Sequence, residues 1–354
     1  GLFSMTLSRE SRVCTPESSA RGDQAHRTGI VMLYDRIIKQ GTINEPGGKP
    51  DPQFALPSTV NWMHALRILV EDQGINFATA EAFYNKQGKR TMDVLAENTV
   101  MEQLLLGLHH LSALEQFRSG SKASDYARVG ILAWYYGVAN AASAMTAAQS
   151  GSFQEDHAGT ARLWDSDIAA RGLAMMPFDW RVSSLVESVY RPEIDACKSG
   201  SAGKLLSKPT AASDALGAAA EYLSGTASWH VWRVREDLMK TADFKALNVK
   251  DFRSKDARAL RDSRLSKKSV GFVHQASRYR GKANYREALF LAYGASTETY
   301  LTGFADDLAI VLRGFLAMAG AFCKRKIGTA LWTEFVSDVD ARRAFSTRAA
   351  DIWQ

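Results

Sequence analysis

Basic residues are concentrated in one segment of the chain, between Arg233 and Arg286. This segment holds sixteen Lys and Arg against six Asp and Glu, a net charge of +10, so the remaining 300 residues sum to −4 within the overall charge of +6. Cations at this density favour binding of a polyanion, because each neutralised phosphate releases condensed counterions. The chemistry that the segment predicts is contact with nucleic-acid phosphates.

Aromatic residues lie in or beside this segment and could stack on unpaired bases. They are Trp229, Trp232, Phe252, Phe272, Tyr279 and Tyr285. We expect the nucleic-acid contacts near the carboxyl end of the segment, with four cations on phosphate oxygens and two neutral residues beside them. The predicted contact residues are Arg278, Arg280, Lys282, Asn284, Tyr285 and Arg286. The alternative is a solvated or protein-binding basic face whose aromatic residues are turned into the core.

Most catalytic templates are absent from the sequence. There is no G-x-x-x-x-G-K-[ST], no G-x-G-x-x-G, no H-E-x-x-H and no G-x-S-x-G. His109 and His110 are adjacent, but neighbouring side chains on a helix point about 100° apart and cannot easily bind one ion. Catalytic residues therefore stay unassigned, and we expect no metal site and no cofactor.

The cysteines and the apolar runs bear on the compartment. Cys14, Cys197 and Cys323 lie far apart and form no C-x-x-C pair, which favours a reducing, cytoplasmic environment. Residues 129–152 contain no charge and are long enough to cross a bilayer. Their many Ala, Ser, Asn and Gln residues make insertion only weakly favourable. We therefore expect a buried core helix and no membrane association.

Helical periodicity dominates the elements that must position these residues. Apolar side chains recur at three and four residues over 91–117 and 297–323, and no convincing run alternates β-branched residues. The pattern predicts an all-α multi-helix bundle, with Asp306 and Asp307 on a wet face. Further helices are predicted over 28–40, 58–73, 124–151, 156–172, 182–197, 213–240, 254–262 and 284–293, and from 329 onward. The predicted organisation is a mobile polar arm, short helix and Pro/Gly loop over 1–57, a helical domain over 58–197, a linker over 198–213, and a basic then apolar helical part over 214–354.

Two segments resemble parts of HEPN-type helical domains. Residues 133–168 are similar to their central region, where a helix with a Tyr pair is followed by a turn, a His and another helix; residues 278–294 are similar to their last helix. The resemblance implies a homodimer and a role in bacterial defence or a toxin–antitoxin system. It also implies a ribonuclease motif in which a His follows an Arg by four to six residues, where this chain has Asn284 or Tyr285. Asn has no proton to exchange near neutral pH and Tyr titrates near 10, so an altered or lost catalytic centre is expected.

Arg21 and His26 have the same R-x4-H spacing, in the polar arm, where so short a pattern often occurs by chance. The other histidines have no Arg at that spacing and are expected to be packed or surface residues. They include His64, His157, His230 and His274. The leading hypothesis is a nucleic-acid-associated protein that prefers RNA to DNA. A non-enzymatic adaptor that binds a protein partner is the second hypothesis, and a metal-independent ribonuclease with an unconventional residue set is the third.

Overall fold

The computed structural model describes residues 33–43, 45–46, 52–120, 122–294 and 297–354. Nearly all regular structure in these ranges is helical, which confirms the all-α prediction. The strands found there, β1 (Gly41–Thr42) and β2 (Glu45–Pro46), form one short antiparallel pair. The predicted mobile arm over 1–27, together with its Arg21 and His26, lies outside the described residues.

Helices account for the rest of the regular architecture in the described ranges. Those before the linker are α1 (Leu33–Gln40), α2 (Pro52–Asp72), α3 (Phe77–Phe83), α4 (Val94–Arg118), α5 (Ala123–Ser150), α6 (His157–Asp167) and α7 (Glu187–Lys198). Those after it are α8 (Ala212–Met239), α9 (Ala242–Ala246), α10 (Lys255–Leu265), α11 (Phe272–Asn284), α12 (Thr297–Tyr300), α13 (Phe304–Ile327), α14 (Thr329–Arg342) and α15 (Ala350–Trp353). Short 3-10 turns follow α6 and α11, at Ala169–Arg171 and Arg286–Leu291.

The centre of the bundle is formed by α4, α5 and α13. Small residues allow this close packing. A Cβ atom on Gly137 would lie 2.6 Å from a methyl carbon of Leu312, and one on Gly107 would lie 2.9 Å from a methyl carbon of Leu316. Most of α5 is buried, which confirms that the uncharged segment is a core helix. None of the helices in the described part of the chain combines the length and apolar character of a membrane span.

A cluster of aromatic side chains joins α2, α5, α8 and α11. Trp62 on α2 is fully buried and stacks on Tyr222 with ring centres 4.1 Å apart. It also meets Trp134 at 5.8 Å and Tyr279 at 4.7 Å. These helices come from both sides of the 198–213 connection, so the two predicted helical parts share one hydrophobic core. The cluster fixes α11, and hence the direction in which its cations point.

A second, smaller core lies at the end of α8. Its buried members are Leu238, Phe244, Phe252 and Ala257. Ser254 is the N-cap of the short helix α10, because its hydroxyl oxygen accepts a hydrogen bond from the backbone N–H of Ala257. Because α9 and α10 are short and bury few apolar residues, most of their charged side chains remain on the surface. We call residues 233–268, which surround this small core, the basic lobe.

Several predicted boundaries are wrong, among them the start of the helix predicted over 182–197, which begins at Glu187, and that of the helix predicted over 297–323, which is divided between α12 and α13. The loop predicted over 41–57 ends earlier, because α2 begins at Pro52; the first helical position needs no backbone N–H, so proline is well tolerated there. The helix predicted over 284–293 is instead the last residue of α11 followed by a 3-10 turn. The backbone at Tyr285, with φ −117° and ψ −145°, leaves the helical region and separates the two elements.

The wet-face prediction for Asp307 is also wrong. Asp307 is 2% exposed, and it accepts hydrogen bonds from His64 Nδ1 at 3.0 Å and Arg67 Nη1 at 3.2 Å. Both partners lie on α2, about 240 residues earlier in the chain. Its neighbour Asp306 does lie at the surface, where it pairs with Arg118. The two adjacent carboxylates therefore have separate structural roles, because α13 packs on α2 along one face only.

Candidate nucleic-acid interface

Two of the predicted phosphate contacts on α11 point into the protein. Arg278 donates to Thr226 Oγ1 at 3.2 Å. Lys282 is 9% exposed, donates to Ser58 Oγ at 3.1 Å and pairs with Glu287. Burial lowers the pKa of Lys282, and the carboxylate of Glu287 opposes that shift. In the free chain these two cations hold α11 against its neighbours.

Arg280 lies against α5 and α6. Its Nη1 atom donates to His157 Nε2 at 2.7 Å, and His157 Nδ1 lies 2.8 Å from Tyr135 Oη. An arginine side chain can only donate, so Nε2 is the acceptor and the ring proton belongs on Nδ1, which donates to the tyrosine oxygen. Asp156 caps the start of α6 and so fixes His157 at its first position. We call Tyr135, His157 and Arg280 the Arg–His–Tyr cluster.

The protonation states of this cluster follow from its surroundings. Burial and the charge of Arg280 lower the pKa of His157, against the opposing effect of Asp156, so the imidazole is neutral near pH 7. Burial raises the pKa of Tyr135 to about 12, which keeps the phenol protonated. Within the described residues, Arg280 Nε is buried without a hydrogen-bond partner. The cluster thus pairs a neutral base with a cation that has an unused donor.

The cluster reaches the surface beside Tyr136. That side chain is 38% exposed, and its ring centre lies 5.8 Å from that of His157. His157 and Arg280 are themselves half-buried. The cation–base pair is therefore partly exposed to solvent.

The remaining predicted contacts lie at the carboxyl end of α11. Asn284 and Tyr285 are exposed, Tyr285 to 49%. The side chain of Arg286 lies outside the described residues. The predicted set is therefore not one continuous surface, because its members point inward, towards α6, and outward. Phosphate contact by these residues stays a prediction.

The exposed cations of the segment lie mainly on the basic lobe. Eleven of its twelve Lys and Arg residues are exposed, and Arg261 is half-buried. The exposed cations are Arg233, Arg235, Lys240, Lys245, Lys250, Arg253, Lys255, Arg258, Arg264, Lys267 and Lys268. Six acids stand against the twelve cations, which leaves a net charge of +6 on 36 residues. Ion pairs such as Lys240 with Asp237 are exposed, and such pairs hold their partners only weakly.

The aromatic residues of the segment divide between core and surface. Phe252, Phe272 and Tyr279 are buried, so for these three the core-facing alternative is the one that the structure shows. Trp232 and Tyr285 are 44% and 49% exposed. Trp232 lies on α8, immediately before the basic lobe's first cation. It is the aromatic residue best placed to meet a ligand bound to the lobe.

Sequence reasoning missed the pairing of His157 with Arg280, which are 123 residues apart. A motif of fixed spacing could not find this pair, because the fold and not the local sequence brings the two side chains together. The described residues contain no group of three or more His, Cys, Asp and Glu side chains that could hold a metal ion. No protein-family model, curated protein or solved structure matches the chain.

Proposed function

We propose that the protein binds nucleic acid through the basic lobe, with RNA preferred to DNA. The observation that supports this most directly is the exposure of eleven Lys and Arg side chains around one small core. Contacts from such cations to phosphates give an affinity that depends on salt and little on sequence. The exposed Trp232 favours RNA, because stacking needs the unpaired bases that RNA loops and ends provide.

The alternative is a protein-binding adaptor that uses the same basic face. The two functions separate in their response to salt and to ligand type. For nucleic-acid binding, the logarithm of the binding constant should fall linearly with the logarithm of the salt concentration, and RNA of unrelated sequence should bind as well. An adaptor would bind no RNA of any sequence at physiological salt.

The direct test is fluorescence anisotropy with a labelled single-stranded RNA at several salt concentrations. Four exposed lobe cations, which form no ion pair within the described residues, are replaced by Gln. They are Lys245, Lys250, Lys255 and Arg258. Removing one phosphate contact should reduce the salt slope by about 0.7 for a single strand, so the slope of the quadruple variant should fall by up to about 3.

The matched control removes the same charge from elsewhere on the surface. Four exposed cations outside the lobe are replaced by Gln: Lys86, Lys122, Arg171 and Lys208. Both variants change net charge equally, so weaker binding confined to the lobe variant would locate the interface. Equal weakening in both variants, or no salt-dependent binding by the unaltered protein, would refute the proposal.

A second candidate function is RNA cleavage by the Arg–His–Tyr cluster. The observation that favours it is the 2.7 Å contact between Arg280 Nη1 and the neutral, accepting Nε2 of His157. Arg280 would turn to a phosphate, and His157 Nε2 would take the proton of the adjacent 2′-hydroxyl as its oxygen bonds to phosphorus. The bond to the 5′-oxygen breaks, and that oxygen receives the proton back from the imidazolium.

This candidate makes a distinct chemical prediction. End-labelled RNA should yield a 2′,3′-cyclic phosphate and a 5′-hydroxyl, and the yield should vanish in His157→Ala and Arg280→Met. His109→Ala, which removes an exposed imidazole from α4, is the control. Because the pKa of His157 is lowered, the rate should reach its plateau at a pH below that of an ordinary histidine base. Turnover that survives both substitutions would remove the cluster from consideration.

A further inference from the structure

A groove of about 630 Å³ lies between α7, α8 and α10, at the edge of the basic lobe. Its floor is apolar and buried, with Leu185, Tyr190 and Leu265 each less than 10% exposed. Its rim includes the cations Arg235 and Arg261, which also belong to the basic lobe. The apolar floor of the groove thus lies beside exposed cations of the basic lobe.

The rim cations are not equivalent. Arg261 pairs with Asp262 at 2.7 Å, and Arg191, a third cation that lines the groove, pairs with Glu187. Arg235 has no carboxylate within ion-pair distance in the described part of the chain, and its guanidinium lies 5.3 Å from the ring centre of Phe252. Packing on that ring orients the guanidinium without neutralising it. Arg235 is therefore the rim cation best prepared to receive a phosphate.

We infer that this groove holds one unpaired nucleotide of a bound RNA strand, which rests on the nucleic-acid binding proposed above. The base would lie on the apolar floor, and its phosphate would contact Arg235. Trp232 lies three residues before Arg235 on α8 and is 44% exposed, so it can stack on the neighbouring base. The occupant is a nucleotide and not an acidic side chain, because the groove opens onto a lobe with eleven exposed cations, suited to a chain of phosphates.

The inference adds a preference that charge alone does not give. A basic lobe binds single strands and duplexes alike through phosphates. Bases in a duplex are paired and stacked, and they cannot enter a groove. The protein should therefore bind a single-stranded RNA at least about tenfold more tightly than a duplex of equal phosphate count, because stacking of two bases, one in the groove and one on Trp232, supplies at least that factor.

The test fills the groove while leaving every charge in place. Ser188 lines the groove from α7 and is exposed, so Ser188→Trp obstructs it with little risk to folding. Val189→Trp introduces the same side chain at the next residue of α7, which does not line the groove, and is the control. Val231→Phe narrows the groove from α8 and serves as a second variant. Affinities for a single-stranded and a hairpin-duplex RNA are compared at one salt concentration.

The expected result is loss of the single-strand preference in Ser188→Trp and Val231→Phe, with duplex affinity unchanged and the preference retained in Val189→Trp. An unchanged preference in both groove variants would overturn the inference, as would equal affinities in the unaltered protein. In those cases salt-dependent binding would still support the proposed function. If RNA shows no preference but a poly-glutamate peptide binds and Ser188→Trp abolishes that binding, the groove belongs to a protein partner and the inference is wrong. Absence of salt-dependent binding to either RNA would instead mean that the proposed function has failed.

Discussion

Two half-buried imidazoles should make the protein lose stability in mild acid. His230 on α8 and His274 on α11 lie with ring centres 5.6 Å apart. His274 Nδ1 accepts the backbone N–H of Gly271 at 3.2 Å, which requires a neutral ring. Protonation of either histidine would place a charge in a poorly solvated site beside cations that include Arg278 and Lys268.

The direction and the size of the effect follow from the pKa values. Burial lowers the pKa of His230 from 6.5 to about 3, and burial lowers that of His274 to about 4 despite the opposing charge of Asp165. Both rings stay neutral in the folded chain, whereas the unfolded chain takes up protons below pH 6.5. Stability is therefore complete above pH 6.5 and is lost as the pH falls towards 4. Between pH 8 and pH 5 each histidine should remove about 2 kcal/mol from the free energy of unfolding.

One carboxylate acts in the opposite direction. Burial raises the pKa of Asp179 from 3.8 to about 6, so the folded chain binds this proton more tightly than the unfolded chain does. Uptake of this proton should add about 1.4 kcal/mol to the free energy of unfolding between pH 8 and pH 5. Burial also lowers the pKa values of His110 and His157, which adds to the loss. The net decrease should be about 3 kcal/mol.

The assay is urea unfolding at pH 8, 7, 6 and 5, followed by tryptophan fluorescence. The variant His230→Gln/His274→Asn removes both rings, and Asn at 274 retains a side-chain acceptor for the N–H of Gly271. The informative quantity is the dependence of the unfolding free energy on pH, so a variant that is less stable at every pH still serves the test. Between pH 8 and pH 5 the free energy of unfolding should fall by about 3 kcal/mol in the unaltered protein and rise by about 1 kcal/mol in the variant, in which Asp179 dominates.

The control variant is His109→Gln, which removes an exposed ring from α4 and should leave the slope in place. A double variant with the same slope as the unaltered protein would refute the reasoning. It would mean that the two rings take up protons in the folded state nearly as readily as in the unfolded chain.

Three further predictions concern the packing and ion pairs that position the interface. Lys282→Met should lower the free energy of unfolding by about 2–3 kcal/mol, because it leaves the partly buried carboxylate of Glu287 unpaired. Lys245→Met, at an exposed position, should change it little, and equal effects of the two substitutions in urea unfolding would contradict the inward role of Lys282. Gly137→Ala should lower the free energy of unfolding by about 1–3 kcal/mol, because its Cβ atom would overlap the methyl carbons of Leu312 on α13. Gly88→Ala should change it little, because a Cβ there meets nothing within 4 Å among the described residues, and equal stabilities of the two variants would show that Leu312 or α13 moves freely. Asp165→Asn should lower the melting temperature by several degrees in a calorimetric scan, because it weakens the ion pair between Asp165 and Arg181. An unchanged melting temperature would show that this pair contributes nothing to stability.

The long helices could be predicted from the sequence, but the contacts that their polar residues make with other helices could not. α4 and α13 were predictable because their apolar residues recur at helical spacing over many turns. α5 was predictable because its long uncharged run of small residues suits a buried helix. The role of Asp307 was not, because its burial is decided by His64 and Arg67 on a distant helix. Local pattern gives the face of a helix with reasonable accuracy. It does not give the polar residue that another helix will supply.

The same limit explains the placement of the predicted interface. A count of cations along 233–286 treats all sixteen alike, whereas the structure divides them by what surrounds them. α11 lies between larger helices, so its cations find oxygen atoms, a histidine and a carboxylate within the fold. α9 and α10 surround a core of four buried side chains, and that core is too small to cover the charges around it. The cations of the basic lobe therefore stay exposed, and this exposure is the reason for proposing the lobe, and not α11, as the nucleic-acid interface.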